Sequence, residues 1–116
     1  MTNEALRSLM PIAGWPEEKA DAVKITGGAD PILPTPFRIG ETSSATLGAV
    51  GLAVSDLWEL RTGRQQEVAV NARRATASMR SWHYMKMDGE SISTRRNAVM
   101  GVYPTKDGRW SYLHCN

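Results

Sequence analysis

An α/β fold is predicted for this chain by three features of its 116 residues. A long apolar helical stretch over residues 42–61 is followed at once by a β-like run over 67–71. A second helical stretch, 72–86, starts directly behind that run. Two alternating segments, 100–103 and 109–114, then flank an Asp107-Gly108 turn. Helical and two-residue periodicities alternating within one short chain give the order long helix, strand, helix, β-hairpin.

Each element has its own local cause. Leu6, Leu9 and Met10 share one face of a short helix over residues 3–10, which Thr2 or Asn3 can cap and Pro11 ends. Pro16 precedes Glu17, Glu18 and Lys19, the arrangement of a proline at a first helical position with acids in the first turn. Val23-Lys24-Ile25-Thr26 alternates and predicts a brief strand. Residues 27–36 hold Gly27-Gly28 and Pro31, Pro34 and Pro36, so this arm is extended and outside regular structure.

The central helix is punctuated at both ends. Thr42, Ser43 and Ser44 offer capping hydroxyls, and Gly63 supplies the left-handed residue that commonly ends a helix. Leu47, Val50, Leu52, Val54, Leu57, Trp58 and Leu60 lie nearly all round it, which predicts burial by more than one neighbour. Ala45, Gly48, Ala49, Gly51 and Ala53 let another element approach its backbone closely. In the second helix Ala72, Ala75, Ala77, Met79, Trp82 and Met85 form the expected packing stripe, with Arg73, Arg74 and Arg80 at its rim. Asp88-Gly89 breaks that helix, and the polar tract 90–97 is read as a loop. Tyr103, Trp110 and Tyr112 alternate on the hairpin as core or cross-strand packing.

Composition narrows the function classes. One domain of this size buries roughly 65% of its unfolded surface, and 41% hydrophobic residues are enough to build its core. A net charge of +2 with basic residues only in pairs, Arg73-Arg74 and Arg95-Arg96, lacks the concentrated basic face of a nucleic-acid binder. The apolar run 45–60 is interrupted by Ser55, Asp56 and Glu59, so no membrane span is expected. A single cysteine, Cys115, excludes an internal disulfide framework. With no basic start followed by an apolar core at the amino terminus, a cytoplasmic location is expected. Gly27-Gly28 lacks the third glycine and the helix of a dinucleotide fingerprint. His83 and His114 stand apart from each other and from acids, as edge residues, and no zinc spacing occurs.

Glu41 is the residue whose position carries chemistry. A carboxylate at a helix start meets unpaired backbone N–H groups and the positive end of the helix dipole, and both favour the ionised form that a carboxylate nucleophile needs. Gly40-Glu41, the small-residue helix, Leu60-Arg61-Thr62-Gly63-Arg64 and Val68-Ala69-Val70 together resemble the central segment of family III CoA-transferases, the CaiB/BaiF group. There a Gly-Asp pair precedes an apolar helix, a Thr-Gly-Arg-Gly-Gln turn and a Val-x-Val strand. Counted back from the turn without a gap, Glu41 falls on that family's nucleophilic aspartate. Gly101-Val102-Tyr103, Asp107-Gly108-Arg109-Trp110 and Leu113-His114 resemble the family's later strand pair. Glu41 stands for Asp, and Gln65 for the Gly of the turn. The longer side chain moves the carboxylate out by one C–C bond, and a displacement of about 1 Å can cost on the order of 100-fold in rate.

Residues 1–36 are read as helices and an arm, and the resemblance implies that 37–116 are a partial domain of a Rossmann-like fold within a longer protein, incomplete at its carboxyl end. It further implies transfer of CoA between an acyl-CoA and a carboxylic acid through Glu41, with CoA as substrate and no permanently bound cofactor. Protomers of the full-length protein would be an interlocked homodimer, with no nucleic-acid or membrane partner. Alone, the chain is expected to bind CoA weakly or not at all. Two alternatives accompany this reading. One is an acyl-CoA racemase, in which Glu41 moves a proton with a histidine such as His83. The other is an inactive structural or subunit-interaction fragment whose apolar helix faces are the functional surface.

Overall fold

A computed structural model describes residues 3–92 and 99–114 and divides the chain into two units, Met1–Ser81 and Trp82–Asn116. The first unit contains α1 (Glu4–Leu9), 3₁₀ turns at Pro11–Ala13 and Glu17–Ala22, β1 (Val23–Thr26), α2 (Ile39–Thr62), β2 (Val68–Asn71) and α3 (Ala72–Ser78). The second contains β3 (Lys86–Met87), β4 (Glu90–Ser91), β5 (Met100–Pro104) and β6 (Trp110–His114). A 3₁₀ turn at Ser81–Tyr84 spans the division. The mixture of helices and small sheets is of the α/β kind.

β1 and β2 pair in parallel, Val23 with Val68 through Thr26 with Asn71. Parallel strands need a long crossover, and here the arm 27–38 and α2 supply it, giving a βαβ unit. The two strands bury one face and expose the other: Val23, Ile25, Val68 and Val70 turn inward, whereas Lys24, Thr26, Ala69 and Asn71 are exposed. The core behind that face is Leu6, Met10, Ala20, Val23, Ala45 and Leu52.

Glycines make this packing close. A Cβ on Gly51 would lie 2.6 Å from Val68 Cγ1, and one on Gly48 would lie 3.2 Å from Leu6 Cδ2 and 3.3 Å from Val23 Cγ1. The small residues of α2 therefore bring its backbone against β2, β1 and α1, as their size predicts. Asn3 stands at the cap position of α1 without capping it. Its amide instead donates to the carbonyls of Ala20 (3.1 Å) and Val23 (3.2 Å), tying the start of α1 to the start of β1. Arg7 and Asp21 add a two-oxygen ion pair at 2.6 and 2.7 Å.

Several local expectations are corrected. α2 begins at Ile39, one turn before Thr42, so Thr42, Ser43 and Ser44 are inside the helix rather than capping it. Their hydroxyls donate back to the carbonyls of Arg38 and Gly40, the usual fate of Ser and Thr in a helix body. The carboxyl half of α2 is not enclosed: Val50, Val54, Leu57 and Trp58 are exposed, and Leu60 is 83% exposed. Pro16 precedes a 3₁₀ turn instead of opening an α-helix.

α3 is seven residues, ending at Ser78 rather than near Lys86. Of its expected stripe only Ala72 and Ala75 are buried, while Met79, Trp82 and Met85 are exposed. Short helices draw most of their stability from a packed face, and past Ser78 that face has no cover within the described residues. Asp88 and Gly89 both take positive φ, 54° and 85°, and turn the chain between β3 and β4, so Glu90 and Ser91 are in a strand rather than a loop. Residues 93–97 of that tract, Arg95-Arg96 included, and Cys115 lie outside the described residues.

The terminal hairpin forms as predicted, with Met100 opposite His114 and Pro104 opposite Trp110. Its turn is closed by Asp107, which accepts from Thr105 Oγ1 (2.5 Å) and Arg109 Nε (2.7 Å). Trp110 and Tyr112 are exposed, not core, and Tyr112 stacks on His114 at 5.9 Å.

The Gly51–Val68 approach generates a prediction. Alanine favours a helix over glycine by about 1 kcal/mol, but a stiff β-branched neighbour at 2.6 Å makes the site overpacked, at about 1–3 kcal/mol. Gly51→Ala is therefore expected to lower the urea midpoint, whereas an exposed position such as Ala53 tolerates substitution.

Candidate functional site

The amino-terminal turn of α2 is built by a residue ten positions upstream. Asp30 reaches back from the proline-rich arm, accepting from Gly40 N–H (2.9 Å) on Oδ1 and from Glu41 N–H (2.8 Å) on Oδ2. Its Oδ1 also accepts from Ile32 N–H at 3.3 Å. A helix start leaves its first N–H groups without intrahelical partners, and here one carboxylate satisfies two of them. Thr42 N–H already reaches Arg38 O at 3.0 Å. Space is reserved for this contact: a Cβ on Gly40 would fall 2.7 Å from Asp30 Oδ1 and 2.5 Å from Ile32 Cδ1.

Partial burial pushes the Asp30 carboxyl up, but the N–H groups of Glu41, Gly40 and Ile32, helped by the Arg38 guanidinium, outweigh it and hold Asp30 below the usual carboxylate range.

Glu41 follows in the first turn. Its side chain is only 11% exposed and forms an i,i+3 ion pair from Oε2 to Arg38 Nε. Arg38 is 69% exposed on its outer side, so the pair sits at the rim of the first unit. The helix-start N–H groups that were expected to act on Glu41 are instead taken by Asp30.

Beneath this turn runs a buried seam of hydroxyls between α2 and α3. Ser44 Oγ donates to Gly40 O at 2.6 Å, Ser43 Oγ lies 3.4 Å from Thr76 Oγ1, and Thr76 donates to Ala72 O at 2.8 Å. No described buried side-chain polar atom lacks a partner. The seam thus holds α2 against α3 without leaving a group free for chemistry.

A cleft of the first unit lies elsewhere. It measures about 550 Å³ and runs along Val68–Asn71, floored by Leu47 and Gly51 of α2 and flanked by Arg74, Ala75 and Ser78. Leu47 is six residues, or about 9 Å, further along α2 than Glu41. A smaller one, about 210 Å³, opens at the other end of β2 between the Lys19–Asp56 ion pair, Glu59 and Gln66. Glu41 lines neither. Both histidines belong to the second unit, where His83 is exposed between the edges of the Trp82 and Tyr84 rings. Among the described residues no three His, Cys, Asp or Glu side chains converge as a metal would require, and no helix is long and apolar enough to cross a membrane.

Asp30 is the residue that sequence reasoning missed. The available signal was an aspartate heading a proline-rich arm that leads into a Gly-Glu helix start, but the pairing partner lies ten residues away and outside any capping motif.

No family model matches the chain, and no curated protein or solved structure is similar enough to count as a match.

Removing this anchor has a predictable cost. Asp30→Ala strips the partner from two helix-start N–H groups and is expected to destabilise the chain by about 1–2 kcal/mol. Because the folded carboxyl is held below its ordinary value of 3.8, its contribution is complete above that value and is lost as pH falls through the lower, folded one. Acid titration of unfolding free energy should therefore show a downward limb below about pH 4 that is shallower in Asp30→Ala.

Proposed function

We propose that this chain carries the nucleophile of a CoA-transferase, acting within a longer protein of Rossmann-like fold. The observation that carries the reading is the placement of Glu41: a largely covered carboxylate in the first turn of a helix whose start is fixed by Asp30. The other members of the motif stand in a compatible order. Gly63 takes φ 70° and accompanies Thr62 and Arg64 at the end of α2, and β2 then runs parallel to β1. A βαβ unit of this kind is what a Rossmann-like fold is assembled from.

In the proposed reaction a Glu41 oxygen attacks the thioester carbonyl of an acyl-CoA and the C–S bond breaks, giving an acyl-glutamyl anhydride and CoA thiolate. The thiolate attacks the glutamyl carbonyl, releases the first carboxylate and leaves CoA as a thioester on Glu41. The acceptor carboxylate attacks that thioester, giving a second anhydride and thiolate; the thiolate attacks the acceptor's acyl carbonyl, the anhydride C–O bond breaks, and Glu41 leaves as a free carboxylate. Protons balance without a general acid, since each leaving group departs as an anion. Arg38 pairs with Oε2, which orients the carboxylate and leaves Oε1 as the attacking oxygen. CoA and the two acids are substrates in this scheme, the complete protein is an interlocked homodimer, and the compartment is the cytoplasm.

A second reading, an interaction module without turnover, is favoured by one feature: Val50, Val54, Leu57 and Trp58 form an exposed apolar stripe along α2. The racemase alternative gains no such support, because the unit that holds Glu41 contains no histidine.

The two readings separate under hydroxylamine. With an acyl-CoA and an acceptor acid present, the transferase reading expects a hydroxamate at Glu41, located by peptide mass spectrometry and absent in Glu41→Gln. CoA transfer that proceeds with no adduct at Glu41 would rule the nucleophile out.

A further inference from the structure

We propose that β2 pairs edge to edge with β2 of a second copy of this chain, joining the two parallel pairs into one four-stranded sheet. Four observations lead there. Among the described residues β2 hydrogen-bonds β1 alone, so its other edge presents unpaired strand backbone. The 550 Å³ cleft is lined by all four residues of β2, with Leu47 and Gly51 of α2 beside them and Thr26 of β1 at one end. By contrast, the outer edge of β1 is engaged at its start, where Asn3 donates to Val23 O.

Although only four residues long, β2 carries no in-strand lysine, proline or bulge to protect its edge. Its sequence is Val-Ala-Val-Asn, and it pairs with β1 without a break in register.

The charge order selects the occupant. Glu67 stands immediately before β2, and Arg73 and Arg74 stand just past its end. All three are exposed, and none has an ion-pair partner among the described residues. A parallel partner would set like charges against like. An antiparallel copy, related by a two-fold axis near Val70, sets Glu67 of each chain against the arginine pair of the other, at both ends at once. This is the self-complementarity that an isologous interface requires, and main-chain hydrogen bonds of the added strand supply the rest. The inference is independent of turnover at Glu41.

Sedimentation of the full 116-residue chain across a concentration series tests it. A reversible monomer–dimer equilibrium is expected, with amide exchange over Val68–Asn71 slowing as dimer forms. Glu67→Arg alone, and Arg73→Glu with Arg74→Glu, should each weaken dimerisation about tenfold. Combining Glu67→Arg with Arg73→Glu and Arg74→Glu should recover most of that loss, which a folding defect cannot do. A monomer at every concentration overturns the proposal. So does a dimer whose constant ignores the charge exchange, or one that leaves β2 exchange unchanged.

Discussion

A single carboxylate sets the frame of the first unit. Asp30 spans the opening of α2, taking the N–H groups of Gly40 and Glu41 on separate oxygens. That contact closes the proline-rich arm onto the helix and moves the first turn upstream of the Ser/Thr run. It also fixes the face on which each later side chain of α2 appears, because a helix starting at Ile39 determines every angle after it. Ser43, Ser44 and Ala45 consequently turn inward, and Glu41 is left at the rim beside Arg38.

From that start α2 acts as the spine of the unit, and its chemistry changes along its length. The amino half is small and polar, and it is buried: Gly40, Ser43, Ser44, Ala45 and Gly48 approach α3, α1 and β1 closely enough that hydroxyls can satisfy one another in the seam. The carboxyl half is larger and apolar, and much of it faces out. Burial by small residues gives close backbone approach but little area per residue, so fixed geometry, rather than bulk hydrophobic burial, is what this helix contributes. A carboxylate positioned for chemistry and an apolar surface open to a partner are then two ends of one element.

What the sequence made legible was local. The β1 boundaries, the left-handed Gly63 after α2 and the Asp107-Gly108 hairpin each depend on residues within a few positions of one another, and each is where periodicity and turn chemistry place it. The start of α2 was hidden because its cap comes from Asp30, ten residues away, while three consecutive hydroxyl residues mimicked a cap in the wrong turn. The length of α3 was overestimated because Met79, Trp82 and Met85 keep helical spacing although nothing described covers them. Periodicity reports which face an element could bury, not whether a partner is there to bury it. The parallel pairing of Val23–Thr26 with Val68–Asn71 had no local signature at all. At the candidate site, Glu41 was readable from its place before the helix; its pairing with Arg38 and the competing claim of Asp30 on the helix N–H groups were not.

Asp30 holds the start of α2, and amide exchange at two positions tests this most directly. Among the described residues, Gly40 and Glu41 have no partner for their N–H groups other than the Asp30 carboxylate. Residue-resolved hydrogen exchange by NMR should find both protected to the level of the helix body, with protection lost when Asp30 is replaced by alanine. If both amides exchange as freely as those of an unstructured chain while the body of α2 stays protected, the helix start is not held by Asp30 and the placement of Glu41 built upon it is wrong.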